Sequence, residues 1–209
     1  MNDILKTGTT TVGILCKDSI IFAADKRATA GSFIVDSKVE KVQKINNFMA
    51  VTTAGSVSDL QLLIKYLKAE LKLKEIRTGR LNNVKEAANL LAGMIYANIR
   101  QLTMIPGITH FLFAGYDKEL SLYDLYPDGS ITKIDDFVSS GSGSVMAYGV
   151  LETLYKKGMT DQEGIEMATK AINAAIQRDS ASGNGIDIFT INKEGVKKVE
   201  TKLLNTRFS

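Results

Sequence analysis

The chain has 209 residues, of which 44% are hydrophobic and 23% are charged, and its net charge is +3. This length suits one sizeable domain with a buried core, and the composition argues against a disordered polypeptide. The small net charge argues against nucleic-acid and membrane partners, and no window approaches the roughly 18 consecutive apolar residues of a membrane-spanning helix.

The single cysteine and the single histidine exclude several kinds of site. Cys16 cannot form an internal disulfide, which fits a reducing cytosol, and its apolar surroundings predict a buried thiol. His110 alone cannot build a multi-histidine metal site. Residues 1–8 lack an apolar core of signal-peptide length. We therefore expect a cytoplasmic protein that uses no metal and no cofactor.

The first part of the chain predicts strands. Residues 9–16 and 19–25 are rich in β-branched and apolar side chains and should form a hairpin. Both runs are apolar at most positions, which indicates a sheet that is covered on both faces. Further strands are predicted at 32–36, 42–45 and 48–54.

Three charged residues, Asp25, Lys26 and Arg27, follow the second strand. The strand could leave the core for solvent at this point, or the charges could form a functional site at the end of the sheet. The local sequence leaves both interpretations open.

Two helices should come next. Ser56 and Asp59 form a loose capping box before a run of apolar residues at helical spacing. The basic residues in 65–80 are most simply the solvated face of this helix. Asn83 and Glu86 mark the start of the second helix, whose apolar face is predicted to extend to Leu102.

The second half of the chain repeats this order. Strands are predicted at 111–114, 120–125, 131–134, 186–191 and 196–199. A small-residue loop at 139–144 should lead into a third helix that ends near Lys156, and Thr160 with Glu163 predicts the start of a fourth helix. Strand groups that alternate with helix pairs favour one α+β domain with helix, sheet, sheet and helix layers.

Gly8 and Thr9 are predicted to form a cleavage site that creates the catalytic nucleophile. A threonine hydroxyl is a poor nucleophile without a base, and a free α-amino group, with a pKa of about 7.7–8.0, is a suitable base near neutral pH. Cleavage between Gly8 and Thr9 would give Thr9 both groups. Gly8 suits this cleavage because it lacks a Cβ that would crowd the attack. Residues 1–8 are therefore predicted to be a propeptide, and residues 9–209 the mature domain.

Several segments, in this order, resemble the β subunit of the 20S proteasome, and its archaeal form most of all. They are Gly8-Thr9-Thr10-Thr11-Val12-Gly13, Asp25-Lys26-Arg27, Lys41, Ala54-Gly55, Gly141-Ser142-Gly143-Ser144 and Arg178-Asp179-Ser180-Ala181-Ser182-Gly183. Each is weak alone, but together they are specific and span nearly the whole chain. The resemblance implies the N-terminal-nucleophile (Ntn) hydrolase fold, a four-layer αββα sandwich.

The resemblance also implies roles for single residues. Lys41 would act as a fixed cation that favours the alkoxide of Thr9, and Asp25 would hold Lys41 in place. Without the resemblance, these two residues would be interpreted as a surface salt bridge.

Three further residues, Ser142, Asp179 and Ser182, match family residues that position the Thr9 amine and a nearby water. The backbone N–H of Gly55 could supply the oxyanion donor, although the local sequence equally allows a plain turn glycine. Ala28, Val39, Thr53 and Val57 would line the pocket for the residue before the cut bond. Because these four are small or apolar, we expect a preference for apolar side chains.

The implied activity is that of a threonine endopeptidase, made as a zymogen, that degrades unfolded proteins to peptides. Its implied partners are other β subunits in a seven-membered ring, a ring of α subunits and a regulatory ATPase that acts through the α ring. The alternative is a structural β subunit of the same ring that is non-catalytic or never processed. Relatives of that kind usually lack the threonine, the lysine or the preceding glycine, all of which this chain has. An Ntn amidase finds no support, because nothing suggests a small-molecule pocket.

Overall fold

The computed structural model describes residues 8–204, so residues 1–7 of the predicted propeptide lie outside the described part of the chain. The strands are β1 (Thr11–Leu15), β2 (Ile20–Asp25), β3 (Ala28–Ala30), β4 (Phe33–Asp36), β5 (Val42–Lys44), β6 (Met49–Gly55), β7 (Thr109–Tyr116), β8 (Leu120–Leu125), β9 (Ile131–Ile134), β10 (Phe137–Ser140), β11 (Gly185–Asn192) and β12 (Gly195–Leu203). The helices are α1 (Val57–Thr78), α2 (Val84–Ile99), α3 (Ser144–Leu154) and α4 (Asp161–Arg178).

Ten of the strands in the described part of the chain form two antiparallel five-stranded sheets. The first sheet has the order β10-β1-β2-β11-β12, and the second has the order β5-β6-β7-β8-β9. The predicted hairpin of β1 and β2 is present, with Thr11 opposite Ala24. The short strands β3 and β4 pair only with each other among the described residues.

Three apolar layers hold the sheets and helices together. Side chains of α1 and α2 pack on one face of the second sheet, around Leu67, Leu91 and Phe113. Side chains of α3 and α4 pack on the first sheet, and the inner faces of both sheets meet around Phe22 and Leu122. The chain is therefore an αββα sandwich, as predicted. Its central strands are apolar on both faces because both faces are covered.

The three predicted helix starts are confirmed, and two of them carry the expected capping box. The side chain of Asn83 accepts a hydrogen bond from the backbone N–H of Glu86, and Thr160 does the same for Glu163. Ser56 directly precedes α1, but the capping box predicted there is wrong. Its hydroxyl donates to the carboxylate of Asp59 and caps no backbone N–H.

Both α2 and α3 are shorter than predicted. The last residue of α2 is Ile99, and the Asn98 amide donates to the carbonyl of Gly107 at 3.0 Å, which ties the following segment back to the helix. Leu102 therefore lies outside the helix and is exposed rather than on an apolar face. The last residue of α3 is Leu154, before the predicted stop at Lys156.

The sequence did not predict β3 and β10. The three residues of β3 are too few to show a period. The end of β10, Ser139 and Ser140, falls in the predicted loop at 139–144, since serine is common in loops. Both residues instead pair with β1, and the Ser139 hydroxyl donates to the carbonyl of Thr11 at 2.9 Å.

Cys16 is buried against α4, as expected. Burial, and then the nearby charges of Asp161 and Glu163, raise the pKa of its thiol to about 12. The thiol therefore stays protonated at neutral pH and is a poor nucleophile. Among the residues described, no helix is both long and apolar enough to cross a membrane.

Candidate active site

The antiparallel order of the first sheet gathers the predicted site residues at one end. The start of β1 lies between the end of β2 and the end of β10, because Thr11 pairs with both Ala24 and Ser140. The start of β11 joins the same edge, where Ile186 lies opposite Asp25. Residues just before β1 therefore meet the loops that follow β2, β10 and α4.

A buried ion pair lies at this end of the sheet. Lys41 Nζ donates to Asp25 Oδ1 at 2.7 Å, and the side chains are 4% and 0% exposed, respectively. Three backbone N–H groups also donate to the Asp25 carboxylate at 2.9 Å, from Thr10, Arg27 and Gly183. Of the two interpretations left open, the strand that leaves for solvent is therefore wrong.

The charge of Lys41 depends on Asp25. Burial lowers the pKa of Lys41 below its ordinary value, while the charge of Asp25 and its hydrogen bond oppose this decrease. An ammonium group in such a site needs its carboxylate partner, since an unpaired buried charge is costly. Lys26, next to Asp25, is also buried and pairs separately with Asp187 at 2.5 Å.

The carbonyl group of Gly8 faces both Thr9 and Lys41. The Thr9 hydroxyl donates to the Gly8 oxygen at 2.6 Å, and Lys41 Nζ donates to the same oxygen at 3.3 Å. Thr9 itself is only 5% exposed. A hydroxyl and a cation thus converge on the bond that the sequence predicts to be cut.

A chain of hydrogen bonds leads from Thr9 to a carboxylate. The Thr9 backbone N–H donates to Ser142 Oγ at 3.2 Å, and Ser142 Oγ donates to Asp179 Oδ2 at 2.6 Å. Ser182 Oγ donates to the same carboxylate oxygen at 2.7 Å. Thr10 Oγ1 lies 2.7 Å from Ser182 Oγ. In the uncut chain the Thr9 nitrogen is an amide, and it stands where a free amine would lie after cleavage.

Gly8 occupies a position where a side chain does not fit. A Cβ built on Gly8 would lie 1.7 Å from the Cβ of Ala181 and 3.1 Å from Ser142 Oγ. Gly55 is restricted in a different way. Its φ is +119°, and a Cβ there would lie 2.2 Å from the carbonyl oxygen of Ile108. Glycine is required at both positions, in the first by close packing and in the second also by the backbone conformation.

A cavity of about 450 Å³ opens beside Thr9. The four residues predicted for the specificity pocket, and Gly55, all line this cavity. The lining is Gly8, Thr9, Arg27, Ala28, Val39, Glu40, Lys41, Gln43, Thr53, Gly55, Val57, Leu60, Gln61, Ile64, Lys65 and Lys68. The structure therefore brings together the predicted nucleophile, cation and pocket residues.

Sequence reasoning missed the contribution of α1 to the cavity. Leu60 and Ile64 are buried and add apolar surface, while Lys65 and Lys68 are exposed residues of the predicted solvated face. Helical spacing could have predicted this contribution. Leu60, Ile64, Lys65 and Lys68 follow the predicted pocket residue Val57 by three, seven, eight and eleven positions, which lie on one side of a helix.

Comparison with known proteins decides the family. A family model described as "Proteasome subunit" matches residues 5–191. The chain belongs to the proteasome subunit family and is of the archaeal β type. It is 42% identical to a proteasome subunit beta of Methanocaldococcus fervens, over 97% of this chain and 91% of the relative. Similar relatives occur in Methanococcus maripaludis (43% identity, covering 91% and 86%) and Methanopyrus kandleri (38%, covering 92% and 90%).

Proposed function

We propose that this proteasome β-type chain is made as a precursor and becomes a threonine endopeptidase by cleaving its own Gly8–Thr9 bond. One observation carries the proposal. The hydroxyl of Thr9 and the ammonium group of Lys41 both contact the carbonyl oxygen of Gly8, in a buried site. Residues 1–8 would then be the propeptide, and residues 9–209 a single catalytic domain.

The cleavage step needs a small movement of Thr9. Rotation of its side chain would carry the hydroxyl oxygen from the Gly8 oxygen to the Gly8 carbonyl carbon. An ester bond forms between these atoms, the C–N bond breaks, and the hydroxyl proton is transferred to the departing nitrogen. Lys41 would stabilise the negative charge that develops on the Gly8 oxygen. Water then hydrolyses the ester and releases residues 1–8.

The mature site would use the same groups on other proteins. The freed Thr9 amine would take the proton of the hydroxyl as it attacks a peptide carbonyl, because its ordinary pKa lies near 7.7–8.0. Ser142, Asp179 and Ser182 would hold this amine and a water through the hydrogen-bond chain described above. Gly55, which lines the same cavity, would supply an oxyanion donor from its backbone.

The partners of the chain follow from its family. We propose that it acts in the 20S core, within a seven-membered β ring stacked on a ring of α subunits. A regulatory ATPase would deliver unfolded proteins through the α ring. We assign the complex to the cytoplasm and propose no nucleic-acid or membrane partner.

The role of Thr9 is tested by two substitutions. Thr9→Ala removes the nucleophile and should abolish propeptide removal and lower peptide hydrolysis at least about 1,000-fold. Thr9→Ser keeps a hydroxyl and should retain both reactions. The measurement is hydrolysis of a fluorogenic peptide by chains assembled with their α partner. Full activity of assembled Thr9→Ala would contradict the mechanism.

The close packing of Gly8 gives a second prediction. Gly8→Ala should slow propeptide removal at least about tenfold, because its Cβ would collide with Ala181 and displace the carbonyl from Thr9. Adding Ala181→Gly should restore part of the rate by making room, and Ala181→Gly alone is the control. The rate is followed by intact mass. Equal rates for Gly8→Ala and the wild-type chain would refute this account of Gly8.

The lining of the cavity predicts specificity. Small and apolar side chains from Ala28, Val39, Val57 and Ile64 should favour cleavage after apolar residues. A matched set of fluorogenic peptides that differ only in the residue before the cut bond measures this preference. Faster cleavage after acidic residues would show instead that Lys65 and Lys68 dominate the pocket, and faster cleavage after basic residues would equally contradict the prediction.

A further inference from the structure

Thr29 makes a contact with the residue before the proposed cut that sequence reasoning did not assign. The backbone N–H of Gly8 donates a hydrogen bond to Thr29 Oγ1 at 3.1 Å. Thr29 is 5% exposed, so water does not readily replace its hydroxyl as the acceptor. It lies in β3, directly after Ala28, which lines the cavity.

The shape of the β3–β4 hairpin presents this hydroxyl. The register of the pair shifts between Ala28 and Thr29, so that Ala28 lies opposite Asp36 while Thr29 lies opposite Ile34. Such irregularities redirect side chains relative to a regular ladder. Thr29 is buried, whereas Phe33, Ile34 and Val35 on the partner strand are exposed.

We infer that the Thr29 hydroxyl is a positioning residue for propeptide removal, an inference that rests on the proposed autocleavage. Gly8 has no side chain to fix its orientation, and glycine alone samples a wide range of φ and ψ. Its carbonyl is held by Lys41 and Thr9, and its N–H is held by Thr29. Holding both polar groups of Gly8 fixes the angle between its two peptide planes. This angle sets how the carbonyl carbon faces Thr9.

The propeptide should depend on Thr29 more than a peptide substrate does. A substrate with a bulky apolar residue before the cut bond gains orientation from the cavity, whereas Gly8 places no side chain there. Loss of the hydroxyl should therefore slow propeptide removal more than it slows peptide hydrolysis by chains that have already been cleaved.

The test compares Thr29→Val, which replaces the hydroxyl with a methyl group, with Thr29→Ser, which keeps it. Full-length chains are mixed with their α partner, and the loss of residues 1–8 is followed by intact mass. Thr29→Val should slow this loss about five- to tenfold, as expected when a buried N–H loses its acceptor, and Thr29→Ser should restore it to near the wild-type rate. Thr29→Ala makes the same comparison if the valine variant does not fold.

Peptide hydrolysis per cleaved chain supplies the second readout. It should fall by a clearly smaller factor in Thr29→Val than propeptide removal does. The inference is overturned if Thr29→Val is cleaved at the wild-type rate, if Thr29→Ser is as slow as Thr29→Val, or if both reactions fall by the same factor. A wild-type chain that keeps its propeptide would instead contradict the proposed function itself. Failure of the Thr29 inference and failure of the proposed autocleavage are therefore distinguishable.

Discussion

The carboxylate of Asp25 is the contact on which the whole site depends. It accepts hydrogen bonds from the backbone N–H groups of Thr10, Arg27 and Gly183 and from the side chain of Lys41. These donors come from four separate parts of the chain. Because a buried charge must be compensated, they are held in one arrangement. The start of β1, and with it Thr9, is thereby fixed beside a cation.

Close packing around Gly8 follows from this arrangement. Lys41 and the Thr9 hydroxyl both donate to the Gly8 carbonyl oxygen, and Ala181 fills the space that a side chain at position 8 would need. Backbone and side-chain contacts together hold the short segment before β1, because Thr9 Oγ1 and Thr10 Oγ1 also form hydrogen bonds. Because the hydroxyl of Thr9 and the ammonium group of Lys41 already contact the Gly8 carbonyl oxygen, the proposed attack on the Gly8–Thr9 bond needs little rearrangement.

Much of the fold and of the candidate site could be predicted from the sequence. Strands that are apolar on both faces and the capping residues Asn83 and Thr160 are local signals, and they gave the layers and most of the helix ends. The pairing of Lys41 with Asp25 was predicted only through the resemblance, because the local sequence marks a charged cluster at Asp25 but cannot show that a distant lysine meets it. The sequence did not indicate Thr29, because a strand of three residues is too short to show a period. The hydrogen bond between its hydroxyl and the backbone N–H of Gly8 exists only in the folded chain.

The intact mass of the chain after assembly with its α partner shows whether the Gly8–Thr9 bond is cleaved. We expect the wild-type chain to lose residues 1–8 and to begin at Thr9. We also expect Lys41→Ala, which removes the cation beside the Gly8 carbonyl, to keep those residues. A wild-type chain that retains residues 1–8 in the assembled complex would contradict the account and would favour an unprocessed structural subunit. Cleavage of Lys41→Ala at the wild-type rate would contradict the role of the cation.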